Sequence, residues 1–279
     1  MGKIYLGETE ITPTLDVPVD KTMYGATLGM ILGDEPVGDL SFDGVTEANS
    51  FLFYGKFSGK KFHAGSVTIS FPDLVENGTS GLGYMFYSDI WGARQEAITV
   101  SFPKLKTIKV NGMKNFMGGA LSSANVGNQI AVLEFPLLER IEASGWEDAF
   151  GAAVSRTCLL EELNLPSLTT INGLNALSNA FENQTNLKRL SFPALTTISG
   201  NNAMSATFYG CTSLTSISFP ALTTISNTGF GNSTASYIFY GCTGLTEIHF
   251  RAVAQAVVEA VRGYSTKWGA ENATIYFDL

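Results

Sequence analysis

One stretch recurs along this chain: Leu187–Ile198 reads LKRLSFPALTTI, Leu214–Ile225 reads LTSISFPALTTI, and Leu245–Val253 reads LTEIHFRAV. Self-similarity on this scale marks a repeat architecture, in which one unit cannot bury its own apolar side chains and must stack on its neighbours. That requirement constrains the fold more than any other feature of the chain.

The unit is counted from the proline after the phenylalanine: Pro72, Pro103, Pro136, Pro166, Pro193 and Pro220, with Asp43 in this slot at the start and Arg251 at the end. The steps are 29, 31, 33, 30, 27, 27 and 31 residues, giving eight strand motifs with no single period. The residue before the slot is Phe42, Phe71, Phe102, Phe135, Leu165, Phe192, Phe219 or Phe250, and the residue two earlier is always aliphatic. Side chains alternate with period two along a strand, so these two positions share one face. Two residues after the slot comes another aliphatic, and five after it Ile108, Ile141, Ile171, Ile198 and Ile225, but Ala48 and Asn77 in the first two units. A second apolar station closes each unit: Phe53, Phe86, Phe116, Phe150, Phe181, Phe208 and Phe239, at gaps of 10 to 19 residues from the slot. A constant strand beside variable loops predicts a coil with a rigid wall, each Phe over its counterpart one rung away.

These units resemble the BspA-like leucine-rich repeat family, whose pattern runs roughly C-x-x-L-x-x-I-x-F/L-P-x-x-L-x-x-I-G-x-x-A-F. The nearest copies are Cys211-Thr-Ser-Leu214 to Ile225 and Cys242-Thr-Gly-Leu245 onward. Ala149-Phe150, Ala180-Phe181 and Phe208-Tyr209-Gly210-Cys211 match the closing half. The likeness covers about residues 39–253, specific in the last three units and looser in the first three. It implies a β-rich (α/β repeat) fold, a right-handed solenoid with a parallel β-sheet, used for adhesion on a bacterial surface.

Charged residues make up only 15% of the chain, which a solenoid with a Ser, Thr, Asn and Gly surface accounts for. The net charge of −8 argues against nucleic acid or an anionic membrane as partner. No apolar run is long enough to span a bilayer, and MGKIYLGETEITP shows no secretory h-region. The expected location is a cell surface, the extracellular space or a virion.

Residues 1–38 fall outside the repeat and read as an N-terminal cap or attachment segment. Ile4–Ile11 alternates around Gly7 as a short strand or hairpin. Residues 39–250 form the solenoid, with 111–130, 199–207 and 226–238 as its longer loops. Residues 251–279 read as a C-terminal cap. In Arg251–Arg262 the spacing turns helical, with Val253, Val257, Val258 and Val261 on one face, stopped by Gly263. Ala273–Phe277 is a final strand.

Support for catalysis is thin. The two histidines, His63 and His249, have no triad motif around them, and Gly55–Lys61 fails as a phosphate loop. No C-x-x-C occurs, and the acidic run Asp34, Glu35, Asp39, Asp43 matches no calcium loop, so neither a metal nor a cofactor is expected. Glu134 and Glu162, on adjacent units, are the one carboxylate pair worth testing for glycosidic cleavage. Cys211 and Cys242 hold the same slot, either as buried free thiols or as a bridge between rungs; Cys158 aligns one residue later. Asn77, Asn183, Asn232 and Asn272 each begin a glycosylation tripeptide.

The outward positions of the strands carry the better hypothesis. Two residues before the slot stand Ser41, Ser70, Ser101, Glu134, Asn164, Ser191, Ser218 and His249; four before it stand Asp39, Thr68, Thr99, Val132, Glu162, Arg189, Ser216 and Glu247. Strands stacked in register would make these a polar wall with Glu134, Glu162 and Arg189 at its middle. That wall is either a solvated face or a recognition surface for a protein or glycan, with Glu134, Glu162, Asn164, Arg189, Ser191, Ser218 and His249 as candidate binding residues. The rival surface is the loop edge, near Tyr87, Trp91, Trp146, Tyr209, Tyr237 and Tyr240. The leading functional reading is a non-enzymatic binding or adhesion module. The alternatives are a tail-associated structural or receptor-binding protein of a phage, a carbohydrate-active enzyme on a β-solenoid, and a spacer that presents residues 1–38.

Overall fold

The structure, a computed structural model, describes residues 3–6, 9–11, 40–43, 46–48, 67–83, 85, 97–117, 130–151 and 158–279. Phe53, Phe86, His63, Gly55–Lys61, Tyr87, Trp91 and the acidic run from Asp34 to Asp39 lie outside the described residues.

The hairpin expected near the N-terminus is present. β1 (Lys3–Leu6) pairs antiparallel with β2 (Thr9–Ile11) and, on its other side, with the first repeat strand through Ile4↔Phe42. Each unit then contributes two strands: a longer one ending near the Phe-Pro motif and a short one after the corner that follows it. The pairs are β3 (Leu40–Asp43) with β4 (Glu47–Ala48), β5 (Val67–Ser70) with β6 (Glu76–Asn77), and β7 (Ile98–Ser101) with β8 (Thr107–Ile108). They continue as β9 (Ile130–Glu134) with β10 (Arg140–Ile141), β11 (Glu162–Asn164) with β12 (Thr170–Asn172), β13 (Arg189–Ser191) with β14 (Thr197–Ser199), and β15 (Ser216–Phe219) with β16 (Thr224–Ile225). β17 (Glu247–Phe250) and β18 (Thr274–Phe277) complete the array.

All repeat strands pair in parallel, as a solenoid requires. The first wall is interrupted into β2-β1-β3-β5-β7-β9, β11-β13 and β15-β17-β18, whereas the short strands form one unbroken seven-stranded sheet from β4 to β16. The aliphatic position five after the slot is therefore a second wall. Ile108, Ile141, Ile171, Ile198 and Ile225 stack in exact register there, with Ala48 and Asn77 at its start.

A third wall consists of stacked turns, and it revises the expectation of loops at 111–117 and 199–207. Residues 111, 113, 115 and 117 donate amide hydrogens to carbonyls of the next rung at 143, 145, 147 and 149, over 2.7–3.1 Å, while 112, 114 and 116 donate three residues back within their own turn. The geometry needs a left-handed residue at regular intervals. Ser80, Asn111, Ser144, Asn175 and Asn202 supply it with φ of 50–56°, a region that Asn and Asp enter more readily than most residues. At Gly200 the demand is stricter: φ is +104° and an added Cβ would lie 2.4 Å from the Gly173 carbonyl carbon. Residues 226–238 do hold an excursion: Met204 N bonds Gly229 O, Ala206 N bonds Ser236 O, and Ile238 N closes the extra residues onto Phe230 O at 3.0 Å.

The core lies between the three walls. Phe42, Phe71, Phe102 and Phe135 are buried and stacked, with ring centroids 4.7, 5.1 and 5.0 Å apart. Leu165 interrupts that column. Trp146 fills the space, standing edge-on to Phe135 and to Phe181, each at 5.3 Å. Phe192, Phe219, Phe250 and Phe277 continue the column. The second Phe station stacks from Phe150 through Phe181 and Phe208 to Phe239, with Phe116 tilted against Phe150 at its start. Each buried ring contributes roughly 1.5–3 kcal/mol by transfer from water. Such burial couples the rungs, because each ring is covered only by its neighbours.

Helix α1 (Gln255–Glu259) follows a short 3-10 turn, Ala252–Ala254, and is shorter than expected. Its buried stripe is Ala254, Val258 and Val261, spaced i, i+4, i+7; Val253 is 74% exposed and Val257 faces solvent, contrary to the four-valine face. The helix packs against β16, the last strand of the second wall, and Arg262 N bonds Asn227 O at 2.9 Å. Gly263 ends the segment in the left-handed conformation at φ +86°. The first wall is not covered by the helix but extended by β18, in register Ile248↔Ile275 and Phe250↔Phe277.

The thiols are free and buried. Cys242 Sγ donates to Phe208 O at 2.9 Å and Cys211 Sγ to Phe181 O at 3.2 Å, so each is spent on the closing Phe of the rung before it. Asn77 is fully buried in the second-wall column, which removes it as a glycosylation site in the folded chain.

Candidate functional site

The outward positions of the first wall form the candidate site, and they are not equally open. Thr99 is half-buried and Ser101 buried, whereas Val132, Glu134, Glu162, Asn164, Arg189, Ser191, Ser216, Glu247, Thr274 and Tyr276 are exposed. The open face therefore runs from β9 to β18. Register pairs Ser101 with Glu134, Glu162 with Arg189, Asn164 with Ser191, and Ser218 with His249. β9 and β11 do not pair, and Glu134 and Glu162 lie in different columns. The carboxylate of Glu162 is engaged by Arg189 in an ion pair. The two acids are thus out of register with each other, and Glu162 already has a cationic partner.

Ion pairs on the walls join adjacent rungs. Glu161 with Lys188 (2.8 Å) and Glu162 with Arg189 do so on the first wall side, Glu76 with Lys109 (2.7 Å) on the second, and Glu147 with Lys114 (2.7 Å) on the turns. Solvent screens these pairs, most of them exposed, so they orient side chains more than they hold the fold.

The most developed cluster stands at the C-terminal end. The His249 ring stacks on Tyr276 with centroids 4.8 Å apart and planes 13° from parallel. Its Nδ1 meets Asp278 Oδ1 at 2.9 Å and its Nε2 meets Glu247 Oε2 at 3.4 Å. The Asp278 hydrogen bond raises the imidazole pKa above its ordinary value; burial opposes it, and the Glu247 hydrogen bond and the two carboxylate charges add to the rise. His249 was in the expected set. Asp278 and Tyr276 were not, although stepping the slot on by 27 residues from Arg251 to Asp278 would have placed both.

The loop edge keeps only part of its expected aromatic surface. Trp146 is fully buried and Tyr237 nearly so, both as core. Tyr209 and Tyr240 stack at 5.2 Å, with Tyr240 exposed. Beside them on the turn wall, burial pushes the Asp148 carboxyl above the usual range against a 3.0 Å hydrogen bond donated by Asn179. Burial raises Glu182 too, with the Asp148 charge adding to it. Among the described residues no group of three or more His, Cys, Asp or Glu side chains is placed to hold a metal ion, and no helix is long and apolar enough to cross a membrane.

No family model matches this chain. No curated protein matches it in sequence. Among solved structures it is similar to a leucine-rich repeat protein from Bacteroides ovatus, with 16% identity over 77% of this chain and 63% of that one and a TM-score of 0.22. This chain thus spans less than two thirds of the length of that protein, and at that TM-score the likeness adds nothing to the architecture seen directly: a parallel β-solenoid with a short C-terminal helix.

Proposed function

We propose that this protein is a non-enzymatic recognition scaffold on a cell or virion exterior, and that it binds a protein or glycan through the outward face of the first wall from β9 to β18. The observation that carries this reading is the open outward face of stacked strands itself. Glu134, Asn164 and Ser191 project from strands whose inner faces are buried in the core, so the stack fixes their backbones and only side-chain ordering remains when a ligand binds. The inter-rung pair of Glu162 with Arg189 orients charge on the same face. The likeness of the repeat units to bacterial surface repeats supports the same reading.

The test is an array of glycans and host matrix proteins probed with the wild-type chain and with Glu134→Lys and Asn164→Tyr. Binding by the wild type, weakened about tenfold or more in the variants at unchanged melting temperature, is the expected result. Silence across both arrays together with hydrolase activity would reject it. Immunogold labelling of intact cells and particles tests the exterior location.

A further inference from the structure

Between Arg189 and Glu247 the chain carries no Asp, Glu, Lys, Arg or His: a run of 57 residues without a charge, in a protein that is 15% charged. The run begins in β13 and ends just before β17, so it makes two complete rungs. A neutral belt thus surrounds the solenoid, and it is not apolar instead. Of the large hydrophobic side chains exposed among the described residues, Tyr240 alone lies in the belt. Its other exposed positions are Ser, Thr or Asn, apart from Pro193 and Ala235.

Tyr209 and Tyr240 stack on the turn wall of the belt with ring centroids 5.2 Å apart. They follow Phe208 and Phe239 in consecutive rungs, and Gly210 N bonds Tyr240 O at 2.8 Å. The stack does not itself require tyrosine here: the same position is Glu182 in the rung before and Gly269 in the rung after. The Gly269 backbone comes so close that an added Cβ would lie 2.6 Å from Tyr240 Cα, so that rung sets no side chain against the tyrosine. Thr212 and Thr243 stand exposed three residues further on in the two tyrosine rungs.

We infer that this edge of the belt binds a neutral oligosaccharide, with Tyr240 as its stacking platform. A tyrosine offers a sugar ring an apolar face for its C–H bonds and a hydroxyl at the rim. Ser, Thr and Asn side chains both donate and accept hydrogen bonds, as sugar hydroxyls do. A charged side chain would have to give up hydration that a neutral ligand cannot replace, and the belt avoids that cost. The hydroxyls of Thr212 and Thr243 recur one rung apart, as hydroxyls recur along a glycan chain. A protein partner, a second copy included, is disfavoured. The centre of a protein interface is apolar, and the belt exposes no Leu, Ile, Val, Phe or Met. The charges that border the patch are of both signs, so they select neither a cation nor an anion. Glu182 lies beyond Tyr209. Lys267 and Glu271 lie in the following rung, where Lys267 Nζ donates to Glu271 O at 3.2 Å. Arg262 reaches the belt at Asn232 O, also at 3.2 Å. The site is on the turn wall, so it stands apart from the first-wall reading above.

The experiment titrates the full 279-residue chain by isothermal calorimetry. The probes are cellohexaose, mannohexaose, maltohexaose and N-acetylchitohexaose, with hexagalacturonate as the anionic control. At least one neutral hexasaccharide should bind, equally well at low and high salt, and hexagalacturonate at least about tenfold more weakly. Tyr240→Ala should weaken the neutral ligand about tenfold or more. Thr243→Glu, which puts a charge on the patch, should do the same, and it carries the test should Tyr240→Ala lower the melting temperature. Glu134→Lys on the first wall should leave oligosaccharide binding unchanged. No binding of any neutral hexasaccharide, hexagalacturonate bound as tightly, or binding unchanged in both Tyr240→Ala and Thr243→Glu would overturn the inference. So would light scattering that shows a dimer which Thr243→Glu dissolves. Array binding lost in Glu134→Lys but kept in Tyr240→Ala, with no hexasaccharide bound, would sink this inference while leaving the proposed function standing.

Discussion

Gln184 reaches across one rung to Phe150: its Nε2 donates to the Phe150 carbonyl at 3.0 Å, the bond that Cys211 and Cys242 make to Phe181 and Phe208 one and two rungs later. Its Oε1 meanwhile accepts from Cys158 N at 2.7 Å. One amide thus satisfies a donor and an acceptor that are both buried. Gln184→Leu keeps the volume and orphans both backbone groups, so a loss of about 2–6 kcal/mol is expected in urea unfolding, at about 1–3 kcal/mol for each buried unsatisfied group.

The three thiols should be inert in the folded chain. Burial pushes Cys158 and Cys242 up to about 12, and Cys211 well above its ordinary value with the neighbouring Cys242 adding to it. The thiolate is the reactive form, so at pH 8 iodoacetamide should label none of them until denaturant is added. Mass spectrometry of the labelled chain checks this; rapid native labelling of Cys242 would contradict the burial.

Asn77 sits in the second-wall column one rung before Ile108, fully buried, with neither side-chain atom hydrogen-bonded among the described residues. The glycine beyond it, Gly81, packs against Asn77 Oδ1 as Gly112 packs against Ile108 Cγ2. Asn77→Ile should therefore fit the existing space and stabilise the chain by about 1–3 kcal/mol, as the cost of an unpaired buried amide is removed and apolar area gained. A lower denaturation midpoint for this variant would refute the packing argument.

His249 makes the C-terminal rung sensitive to pH. Its folded pKa is raised, so the stabilisation is complete below the unfolded value, about 6.5, and is lost as pH rises through the higher folded value. Asp148 and Glu182, whose pKa values are also raised, contribute in the same direction, so the effect must be read as a difference between variants. The melting temperature of the wild type minus that of Asp278→Asn should be positive at pH 5.5 and shrink towards pH 8.5. Hydrogen exchange of β18 should quicken over the same range.

Phe102 is stacked between Phe71 and Phe135 and fully buried. Phe102→Ala should cost about 3–5 kcal/mol by loss of transfer energy and the cavity left behind. The loss should spread to the adjacent rungs, visible as faster amide exchange in β5 and β9 as well as β7.

The first wall was legible because its alternation spans four to five residues and repeats eight times. The second was visible only as a column of isoleucines. Its strands are two or three residues long, too short for any period to show, and they exist because each pairs with the strand above and below. The turn wall left a trace in its asparagines, but its bonds run between backbone amides and carbonyls, which carry no residue signature. Trp146 and Tyr237 look like exposed aromatics in sequence because hydrophobicity does not say which side of a turn a ring takes. The helix face departs from the four-valine pattern for a related reason: α1 has fewer than two turns, so one residue of phase decides between Val253 and Ala254.

What the amino-acid order determined by itself is that units must stack. No single rung can cover two phenylalanines and several aliphatics, and only neighbours of the same pattern can. What the tertiary structure decided is which residues meet across rungs: Glu162 with Arg189, Gln184 with Phe150, His249 with Tyr276 and Asp278. Those contacts depend on loop lengths that vary from unit to unit, and on register, which is fixed only when the apolar columns close on one another.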